Sequence, residues 1–309
     1  MRQDILVVGS INIDFNIKTK NIPLPGQNVF GEKLQIVPGG KGANQAVGIA
    51  KLGHDVLLAG KIGKDYFGNY LVKKLKENRV STKYIELDNN ESTGTTIILI
   101  DSNGENSIVI STGANGRFSK ESVEKIKRVI GKVKIVLLQL ELPLEQVGQV
   151  IDIANEFKKT IILDAGPQCR KPLLSFFKVD ILTPNKIEAE ALSDMPIENI
   201  TSMARVSEYF LSKGTKIVVL KLGNDGCFLA TTTLKKHFPI FKDVKVVDTT
   251  AAGDAFTAAL AVGVLEGKSI EETVTYANAA GSLAVTKIGA QSSLPTKKDL
   301  EVFINEEVK

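Results

Sequence analysis

The sequence contains few of the residues that usually bind transition metals. It has two cysteines, two histidines and no tryptophan. Cys169 and Cys227 lie in different segments without the spacing of metal ligands, and His54 and His237 form no cluster with them. A zinc site is therefore not expected.

Long uncharged segments and an excess of one charge are also missing. No uncharged run reaches membrane-spanning length, and no signal-peptide core precedes the apolar segment that begins at Ile5. The 39 basic and 35 acidic residues are dispersed and give a net charge of +4, which is too small and too mixed to indicate binding to nucleic acid or to a membrane. We therefore expect a cytoplasmic protein with neither of these partners.

The composition is that of a globular protein, because 43% of the 309 residues are apolar and 24% are charged. Most of the chain alternates short apolar segments, typical of buried strands, with amphipathic helical segments. This alternation predicts an α/β fold with a doubly wound, mostly parallel sheet flanked by helices, in which ligands lie at the carboxyl ends of the strands. The predicted strands include residues 5–9, 134–138, 160–163, 179–182 and 216–220.

A group of β-rich segments interrupts this alternation. Turn residues join them, and Asn103-Gly104 is a hairpin signal. Such a group predicts a small β-sheet that stands over the main domain as a lid. We expect a single domain, residues 1–309, with the lid formed by about residues 11–37 and 84–112. Because an unpaired sheet edge can pair with its copy in a second subunit, we also expect a homodimer through the lid.

The segment 247–256 reads Val-Asp-Thr-Thr-Ala-Ala-Gly-Asp-Ala-Phe. It follows a β-branched run and opens into an alanine-rich stretch, so a strand is predicted to meet a helix here. Ala251, Ala252 and Gly253 are small and leave the backbone N–H groups of the first helical turn uncovered. The helix dipole adds partial positive charge at the same place. This turn can therefore hold a phosphate.

Asp254 stands beside that predicted anion site. Its carboxylate could take a proton from an attacking hydroxyl while the N–H groups stabilise charge on the transferred group. The pattern therefore indicates phosphoryl transfer. The competing interpretation is structural: Asp248 or Thr250 caps the helix, and Asp254 only complements the helix dipole.

Two further segments offer groups that suit a sugar. Asn12 and Asp14 alternate with apolar neighbours and point the same way, either toward a polyol or into an Asx turn that closes the strand. Residues 38–46, Pro-Gly-Gly-Lys-Gly-Ala-Asn-Gln-Ala, let a ligand approach the backbone closely. They are not a Walker P-loop, because the first glycine of that pattern is missing. Polar residues also follow four predicted strand ends: Glu141, Asp164, residues 183–185 and residues 221–226.

The ordered motifs resemble the carbohydrate kinase family that includes ribokinase and the minor bacterial phosphofructokinases. Gly-Gly-Lys-Gly-Ala-Asn-Gln-Ala at 39–46 and Asp-Thr-Thr-Ala-Ala-Gly-Asp at 248–254 are similar to the two signatures of that family. The resemblance runs from Gly-Ser-Ile-Asn-Ile-Asp at 9–14, through Thr-Pro-Asn at 183–185, to Lys-Ile-Gly-Ala-Gln-Ser-Ser at 287–293. Within the family, these motifs look most like the ribokinase branch.

The resemblance implies transfer of the γ-phosphate of ATP to the 5-hydroxyl of D-ribose. Asp254 matches the general base, and the amides of Ala251, Ala252 and Gly253 match the anion hole. The matched sugar-binding residues are Asn12, Asp14, Gly40, Lys41, Asn44, Glu141 and Asp254. The matched nucleotide and magnesium-shell residues are Asn185, Glu188, Lys221, Gly223, Gly226, Gly253 and Asn278.

Two metal ions are implied by the same resemblance. Mg²⁺ would offset the charge of the phosphoryl oxygens and would be held largely through phosphate and water. A monovalent cation, expected to be K⁺, would lie beside the anion hole and raise its positive potential. The positions that match this second site, several of them through backbone carbonyls, are Asp248, Thr250, Ala284, Lys287, Gly289 and Ser293.

The chain departs from the family pattern at a few positions near these motifs. Asp-Ala-Gly-Pro at 164–167 replaces an expected Asn-Pro-Ala-Pro. Lys221 lies where a hydroxyl residue often contacts the nucleotide, and Ala255 stands where threonine is frequent. These departures bear on nucleotide preference and affinity more than on the reaction.

Two alternatives stay open at this point. The first is a kinase for another small alcohol, such as deoxyribose, fructose, adenosine or a fructose phosphate. A phosphorylated substrate would require an arginine beside the sugar pocket, and the first 115 residues contain only Arg2 and Arg79. The second alternative is a non-catalytic sugar or nucleotide sensor built on the same fold.

Overall fold

The structure is a computed structural model that describes residues 4–102, 105–241 and 244–307. Within these ranges the chain forms thirteen strands and ten α-helices. The strands are β1 (Ile5–Val8), β2 (Asn12–Lys18), β3 (Gln35–Gly39), β4 (Val56–Gly63), β5 (Ser81–Asp88), β6 (Gly94–Ile100), β7 (Asn106–Ser111), β8 (Ile135–Gln139), β9 (Thr160–Asp164), β10 (Ile181–Leu182), β11 (Ile217–Lys221), β12 (Cys227–Ala230) and β13 (Lys235–Phe238). The helices are α1 (Lys41–Lys51), α2 (Tyr66–Glu77), α3 (Lys120–Ile130), α4 (Leu144–Glu156), α5 (Lys186–Ser193), α6 (Ile200–Ser212), α7 (Ala252–Leu265), α8 (Ile270–Ala284), α9 (Ala290–Ser293) and α10 (Lys297–Glu307).

Nine strands form a large sheet in the order β13-β12-β11-β10-β9-β8-β1-β4-β5. Neighbouring strands are parallel except in the pairs β11–β12 and β12–β13. Ile5 and Val7 pack into a core with α1, α7 and α8, whereas Leu6 and Val8 point to the opposite face and pack with α3, α4 and α6. The predicted doubly wound, mostly parallel sheet is confirmed. No helix within the described ranges is both long enough and apolar enough to cross a membrane.

Four strands form the predicted small sheet, in the order β3-β2-β6-β7. The central pair β2–β6 is parallel, and β3 and β7 pair antiparallel to it. The lid is smaller than predicted, because residues 84–87 lie in β5 and pair with β4 at the edge of the large sheet. β4, α2 and β5 form a βαβ unit, so this strand continues the alternation instead of interrupting it. Residues 103–104, the predicted hairpin turn, fall outside the described residues.

Two other segments differ from their prediction. Residues 244–247 do not form a strand before the anion turn. The N–H of Val247 donates instead to the carbonyl oxygen of Val285, at the end of α8, over 2.7 Å. The hairpin β12–β13 was not predicted, because strands of four residues show too little alternation to be identified. It extends the large sheet beyond β11 with antiparallel strands.

Helices α1 and α7 approach each other closely on one face of the large sheet. A β carbon built on Gly48 of α1 would lie 2.7 Å from the Cβ atom of Ala258 in α7. Asn44 lies one helical turn before Gly48, and Asp254 lies one turn before Ala258. The close packing of the helices thus brings Asn44 Nδ2 within 2.9 Å of Asp254 Oδ2.

We expect Gly48→Ala to lower the free energy of unfolding, because the added methyl group would force α1 and α7 apart. Overpacking of this kind costs ~1–3 kcal/mol, against a gain of up to ~1 kcal/mol from replacing glycine in a helix. Urea unfolding measures the net change. The double variant Gly48→Ala/Ala258→Gly keeps one methyl group at the contact and should recover most of the loss. A Gly48→Ala protein as stable as the native one would contradict the expected clash.

Candidate active site

The turn before α7 presents free backbone N–H groups. Ala251 precedes the helix in the left-handed region, with φ 60° and ψ 11°, and no side chain caps the helix. The N–H of Ala252 donates to the carbonyl oxygen of Thr249 at 3.3 Å. In the described part of the chain, no group accepts a hydrogen bond from the N–H groups of Ala251, Gly253 and Asp254. This turn therefore has the geometry of an anion site.

Asp254 lies in the first turn of α7 and is buried, with 5% of its surface exposed. Asn44 Nδ2 donates to its Oδ2 atom at 2.9 Å, and Gln45 Nε2 donates to its Oδ1 atom at 3.0 Å. Lys41 Nζ lies 4.0 Å from Oδ1. All three partners lie in the first turns of α1, just after Gly40. The backbone of Gly40 has a φ of 88°, a conformation that favours glycine. The two signature motifs, distant in sequence, thus form one site.

Asp164 is the fully buried centre of the same network, at the end of β9. Its Oδ1 atom accepts a hydrogen bond from Lys221 Nζ at 2.7 Å, and its Oδ2 atom accepts one from Gln45 Nε2 at 2.8 Å. Gln139 Nε2 donates to Gln45 Oε1 at 2.5 Å and so fixes the orientation of that amide. Gln45 therefore bridges the carboxylates of Asp164 and Asp254.

The charges of this network shift the pKa values of its members. Burial raises the pKa of Asp254; the Lys41 ammonium opposes the rise, and the charge of Asp164 adds to it. Burial would also raise the pKa of Asp164, but Lys221 and Lys41 hold that pKa below its usual value. Burial likewise works against the charge of Lys41, yet the surrounding carboxylates, Asp164 foremost, raise its pKa. Asp254 is therefore the more basic of the two aspartates and the better proton acceptor.

Asp14 faces the site from β2 of the small sheet. Burial raises its pKa to about 6; a hydrogen bond with Thr96 opposes the rise, and the charges of Glu141 and Asp254 add to it. Its buried Oδ1 atom has no hydrogen-bond partner among the described residues. A β carbon on Gly39 would lie 1.9 Å from Oδ2, so glycine leaves this carboxylate room. An unpartnered buried acceptor suits a ligand that donates hydrogen bonds, such as a sugar hydroxyl.

Asn12 and Glu141, both predicted to bind the sugar, already have protein partners. Asn12 Oδ1 accepts a hydrogen bond from Asn115 Nδ2 at 2.7 Å. Glu141 Oε2 accepts one from Ser10 Oγ and another from the N–H of Lys41 at 3.2 Å. These contacts hold the start of β2 and the start of α1 in place around Asp14.

Three residues of this network were not predicted as site residues. Asn115 exchanges hydrogen bonds with the backbone of Ile11, at 3.0 and 3.2 Å, and so fixes the connection between β1 and β2. It lies in a Gly-Ala-Asn-Gly segment, which is typical of a turn. Gln45 belongs to the glycine-rich motif, and Gln139 ends β8 at the ligand-binding edge of the sheet. The positions of these residues in the sequence indicated that they lie near the site. Their roles could not be predicted, because they depend on contacts between distant segments.

A cavity of about 560 Å³ opens over the anion turn, at the carboxyl ends of β10 and β11. Its lining combines polar groups with apolar side chains that include Ile240, Val246 and Val285. The residues predicted to bind the nucleotide all line this cavity: Asn185, Glu188, Lys221, Gly223, Gly226, Gly253 and Asn278. A cavity with apolar walls and free amides at one end can hold a purine base and its phosphates.

Several of these residues are oriented by hydrogen bonds within the protein. Asn185 and Glu188 form a capping box at the start of α5: Asn185 Oδ1 accepts from the N–H of Glu188 at 2.8 Å, and Glu188 Oε2 accepts from the N–H of Asn185 at 2.7 Å. Asn278 Nδ2 donates to the carbonyl oxygen of Pro239 at 2.8 Å. The described residues contain no cluster of three or more histidine, cysteine or acidic side chains that could hold a metal by themselves.

Two of the residues predicted to bind a monovalent cation, Asp248 and Thr250, come just before the anion turn in the chain. Asp248 Oδ1 accepts hydrogen bonds from the N–H and Oγ1 of Thr250 at 2.9 and 2.6 Å, and Asp248 Oδ2 accepts one from the N–H of Gly289 at 2.8 Å. Burial would raise the pKa of Asp248, but these hydrogen bonds hold it below its usual value. The other predicted positions lie in α8, α9 and the loop between them: Ala284, Lys287 and Ser293.

Asp248 and Thr250 therefore join two loops and do not cap α7. The capping interpretation of the 248–254 motif does not describe this turn. What remains is a set of free amides, a buried basic carboxylate beside them, and an unpartnered acceptor on the small sheet. This arrangement can hold a phosphoryl group next to a hydroxyl that has a proton acceptor, which is the requirement for phosphoryl transfer to an alcohol.

The family of the chain follows from its similarity to known proteins. A profile described as pfkB family carbohydrate kinase matches residues 2–297. The chain belongs to this family of carbohydrate kinases.

Individual relatives are similar over nearly the whole chain. Ribokinase from Haemophilus influenzae is 35% identical over 306 residues, which cover 98% of this chain and 99% of that protein. A deoxyribokinase from Salmonella typhi is 31% identical over 303 residues, which cover 98% and 99%. Arabidopsis thaliana ribokinase, solved in complex with ribose and ATP, has a TM-score of 0.89 and 34% identity, with 98% of this chain and 99% of that chain covered.

Proposed function

We propose that the protein transfers the γ-phosphate of ATP to the 5-hydroxyl of D-ribose. The observation that carries this proposal is the position of Asp254, whose buried carboxylate lies between the free amides of the anion turn and the Asn44 side chain of α1. The similarity of ribokinases to nearly the whole chain supports ribose as the acceptor and ATP as the donor. Because the proposed reaction uses ATP and supplies a sugar phosphate to sugar breakdown, we propose a cytoplasmic location for the protein.

In this mechanism, ribose lies between Asp14, Asn44 and the loop at Gly40, with its 5-hydroxyl directed at Asp254. Asp254 accepts the proton of that hydroxyl as the oxygen attacks the γ-phosphorus and the bond to the leaving ADP oxygen breaks. The amides of the anion turn stabilise the charge on the transferred group. Closure of the small sheet over the sugar excludes water from the reaction.

The nucleotide lies in the cavity over the anion turn, with its phosphates toward Gly253. Mg²⁺ bound to those phosphates would neutralise part of their charge. Asn185 and Glu188, which line the cavity, are the residues nearest to that role, because Glu188 uses only one carboxylate oxygen in its capping box. This suits an ion held mainly by phosphate and water, since no acidic cluster of three occurs in the described chain.

Deoxyribose is the second candidate acceptor, because a relative of nearly equal similarity is named deoxyribokinase. A non-catalytic sensor is the third, and it differs from both kinases in producing no ADP. The three possibilities can be separated by one assay.

ADP release, measured in a coupled assay, should depend on D-ribose and should exceed the release with 2-deoxy-D-ribose, D-fructose or adenosine. Asp254→Asn should lower turnover by ~10²–10⁴, because a positioned general base contributes that much, and should leave ribose binding largely intact. Asp152→Asn, on the exposed face of α4, is the matched control and should retain native activity. Near-native turnover of Asp254→Asn would refute the assigned base, and ADP release with deoxyribose but not ribose would refute the assigned sugar.

A monovalent cation, K⁺, is proposed to bind beside the anion turn. The Asp248 carboxylate, held ionised by Thr250 and Gly289, would supply negative charge there, and backbone carbonyls of the neighbouring loops would complete the site. A cation at this position orders the turn and raises its positive potential.

K⁺ should therefore increase turnover, and should raise the thermal unfolding temperature of the substrate-free protein relative to an equal concentration of tetramethylammonium. Both effects should be lost in Asp248→Asn and retained in Asp152→Asn. The thermal measurement tests the ion site without relying on activity. Equal turnover in the strict absence of K⁺ would show that no such activation exists.

A homodimer through the small sheet is also proposed. β7 lies at the edge of this sheet and carries exposed apolar side chains, among them Val109, which is 65% exposed. Covering them with a second copy would remove this surface from water. Val109→Glu should therefore shift the sedimentation coefficient from dimer to monomer, whereas Val302→Glu, at a 47% exposed position on α10, should not. A native protein that sediments as a monomer would overturn the proposal.

A further inference from the structure

Two departures from the family pattern are in direct contact. Asp164 stands where asparagine was expected, and Lys221 stands where a hydroxyl residue is frequent. Lys221 Nζ donates to Asp164 Oδ1 at 2.7 Å. The two positions are 57 residues apart in sequence and meet because β9 and β11 both end at the same edge of the large sheet.

The Lys221 ammonium lies beside the anion turn. A β carbon built on Gly253 would be 3.8 Å from Lys221 Nζ, and apart from its chain neighbours and the backbone of α7 no other described atom comes within 4 Å of that position. Lys221 and Gly253 both line the nucleotide cavity. A group bound at the amide of Gly253 would therefore be close to this cation.

Most of the hydrogen-bonding capacity of Lys221 is unused. An ammonium group has three N–H donors and no acceptor. Within the described residues, Asp164 Oδ1 is the only acceptor that the Lys221 side chain contacts. The side chain is 11% exposed, so the other two donors face a nearly enclosed space. A phosphate oxygen in the cavity would satisfy them.

The two departures explain each other physically. A buried ammonium is costly unless a carboxylate accompanies it. An asparagine at position 164 would leave Lys221 without a counter-charge, and a hydroxyl residue at 221 would leave one oxygen of the fully buried Asp164 without a donor. Asp164 and Lys221 together replace a neutral contact with a charged one. The pair adds a cation beside the phosphate site without adding net charge.

We propose that Lys221 is a phosphate-binding residue that donates to the nucleotide phosphate held at Gly253, and that Asp164 is the positioning residue that keeps its ammonium there. The inference rests on the proposed function in taking ATP as the phosphate donor. Lys41, the second cation near Asp164, also lines the cavity, with its Nζ atom 4.0 Å from Asp254 Oδ1, whereas Lys221 is the cation that lies beside Gly253.

Calorimetric titration of the substrate-free protein with ATP and with adenosine tests this proposal. Lys221→Thr should weaken ATP binding by ~10- to 100-fold, which corresponds to the loss of one hydrogen bond to a charged group. The affinity for adenosine, which has no phosphate, should not change. Asp164→Asn should weaken ATP binding in the same direction and likewise spare adenosine.

The double variant Asp164→Asn/Lys221→Thr provides the decisive comparison. Because both single changes disrupt the same contact, the double variant should lose no more ATP affinity than Lys221→Thr alone. It also removes the buried charge pair as a whole, so it remains measurable if a single variant does not fold. Losses that add up in the double variant would show that Asp164 does not act through Lys221.

Lys216→Thr is the matched control. Lys216 lies just before the first residue of β11, at the end of the strand that is far from the cavity lining. It pairs with Asp180 at 2.6 Å. It should bind ATP with native affinity. Native ATP affinity in Lys221→Thr, or an equal loss of ATP and adenosine affinity, would overturn the proposal.

Failure of this inference can be told apart from failure of the proposed function. A native protein that binds ATP through Lys221 but phosphorylates neither ribose nor another sugar would contradict the kinase assignment and leave the role of Lys221 intact. A native protein that phosphorylates ribose, with a Lys221→Thr variant of unchanged ATP affinity, would contradict the role of Lys221 alone.

Discussion

The site depends on one constraint, the placement of an ionisable carboxylate in a buried position at the head of a helix. Burial makes Asp254 more basic, and its ionised form is tolerated because Asn44, Gln45 and Lys41 surround it. All three come from the start of α1. The contact between α1 and α7, which Gly48 makes possible, is therefore a condition for the chemistry as well as for the fold.

The large sheet brings the remaining parts together. Parallel strands end at a common edge, so Asp164, Lys221 and Gln139 converge although they belong to β9, β11 and β8. The small sheet adds Asp14, which lies close enough to Asp254 and Glu141 for their charges to raise its pKa. In the proposed mechanism, the backbone amides before α7 hold the phosphate and Asp14 of the small sheet contacts the sugar.

Local signals in the sequence were sufficient for much of this architecture. The alternation of apolar and amphipathic segments predicted the large sheet, and α7 begins within the predicted anion turn, at Ala252, and continues through the alanine-rich stretch. The same signals failed for β5, which resembles the strands of the small sheet, and for residues 244–247, whose apolar side chains belong to a loop. The motifs singled out Asn185 and Lys221, which line the cavity, but did not indicate that Gln45 bridges two carboxylates. Pairing between distant segments decides these cases, and periodicity contains no information about it.

The central claim is that Asp254 faces the attacking hydroxyl while the amides of the adjacent turn hold the transferred group. A crystal structure of the protein with D-ribose, ADP, Mg²⁺ and aluminium fluoride, which mimics the transferred phosphoryl group, tests it most directly. We expect the Asp254 carboxylate within hydrogen-bonding distance of the 5-hydroxyl and the fluoride group against the amides of Ala251 and Gly253. A complex in which the sugar hydroxyl lies away from Asp254, or in which these amides contact neither fluoride nor phosphate, would contradict it.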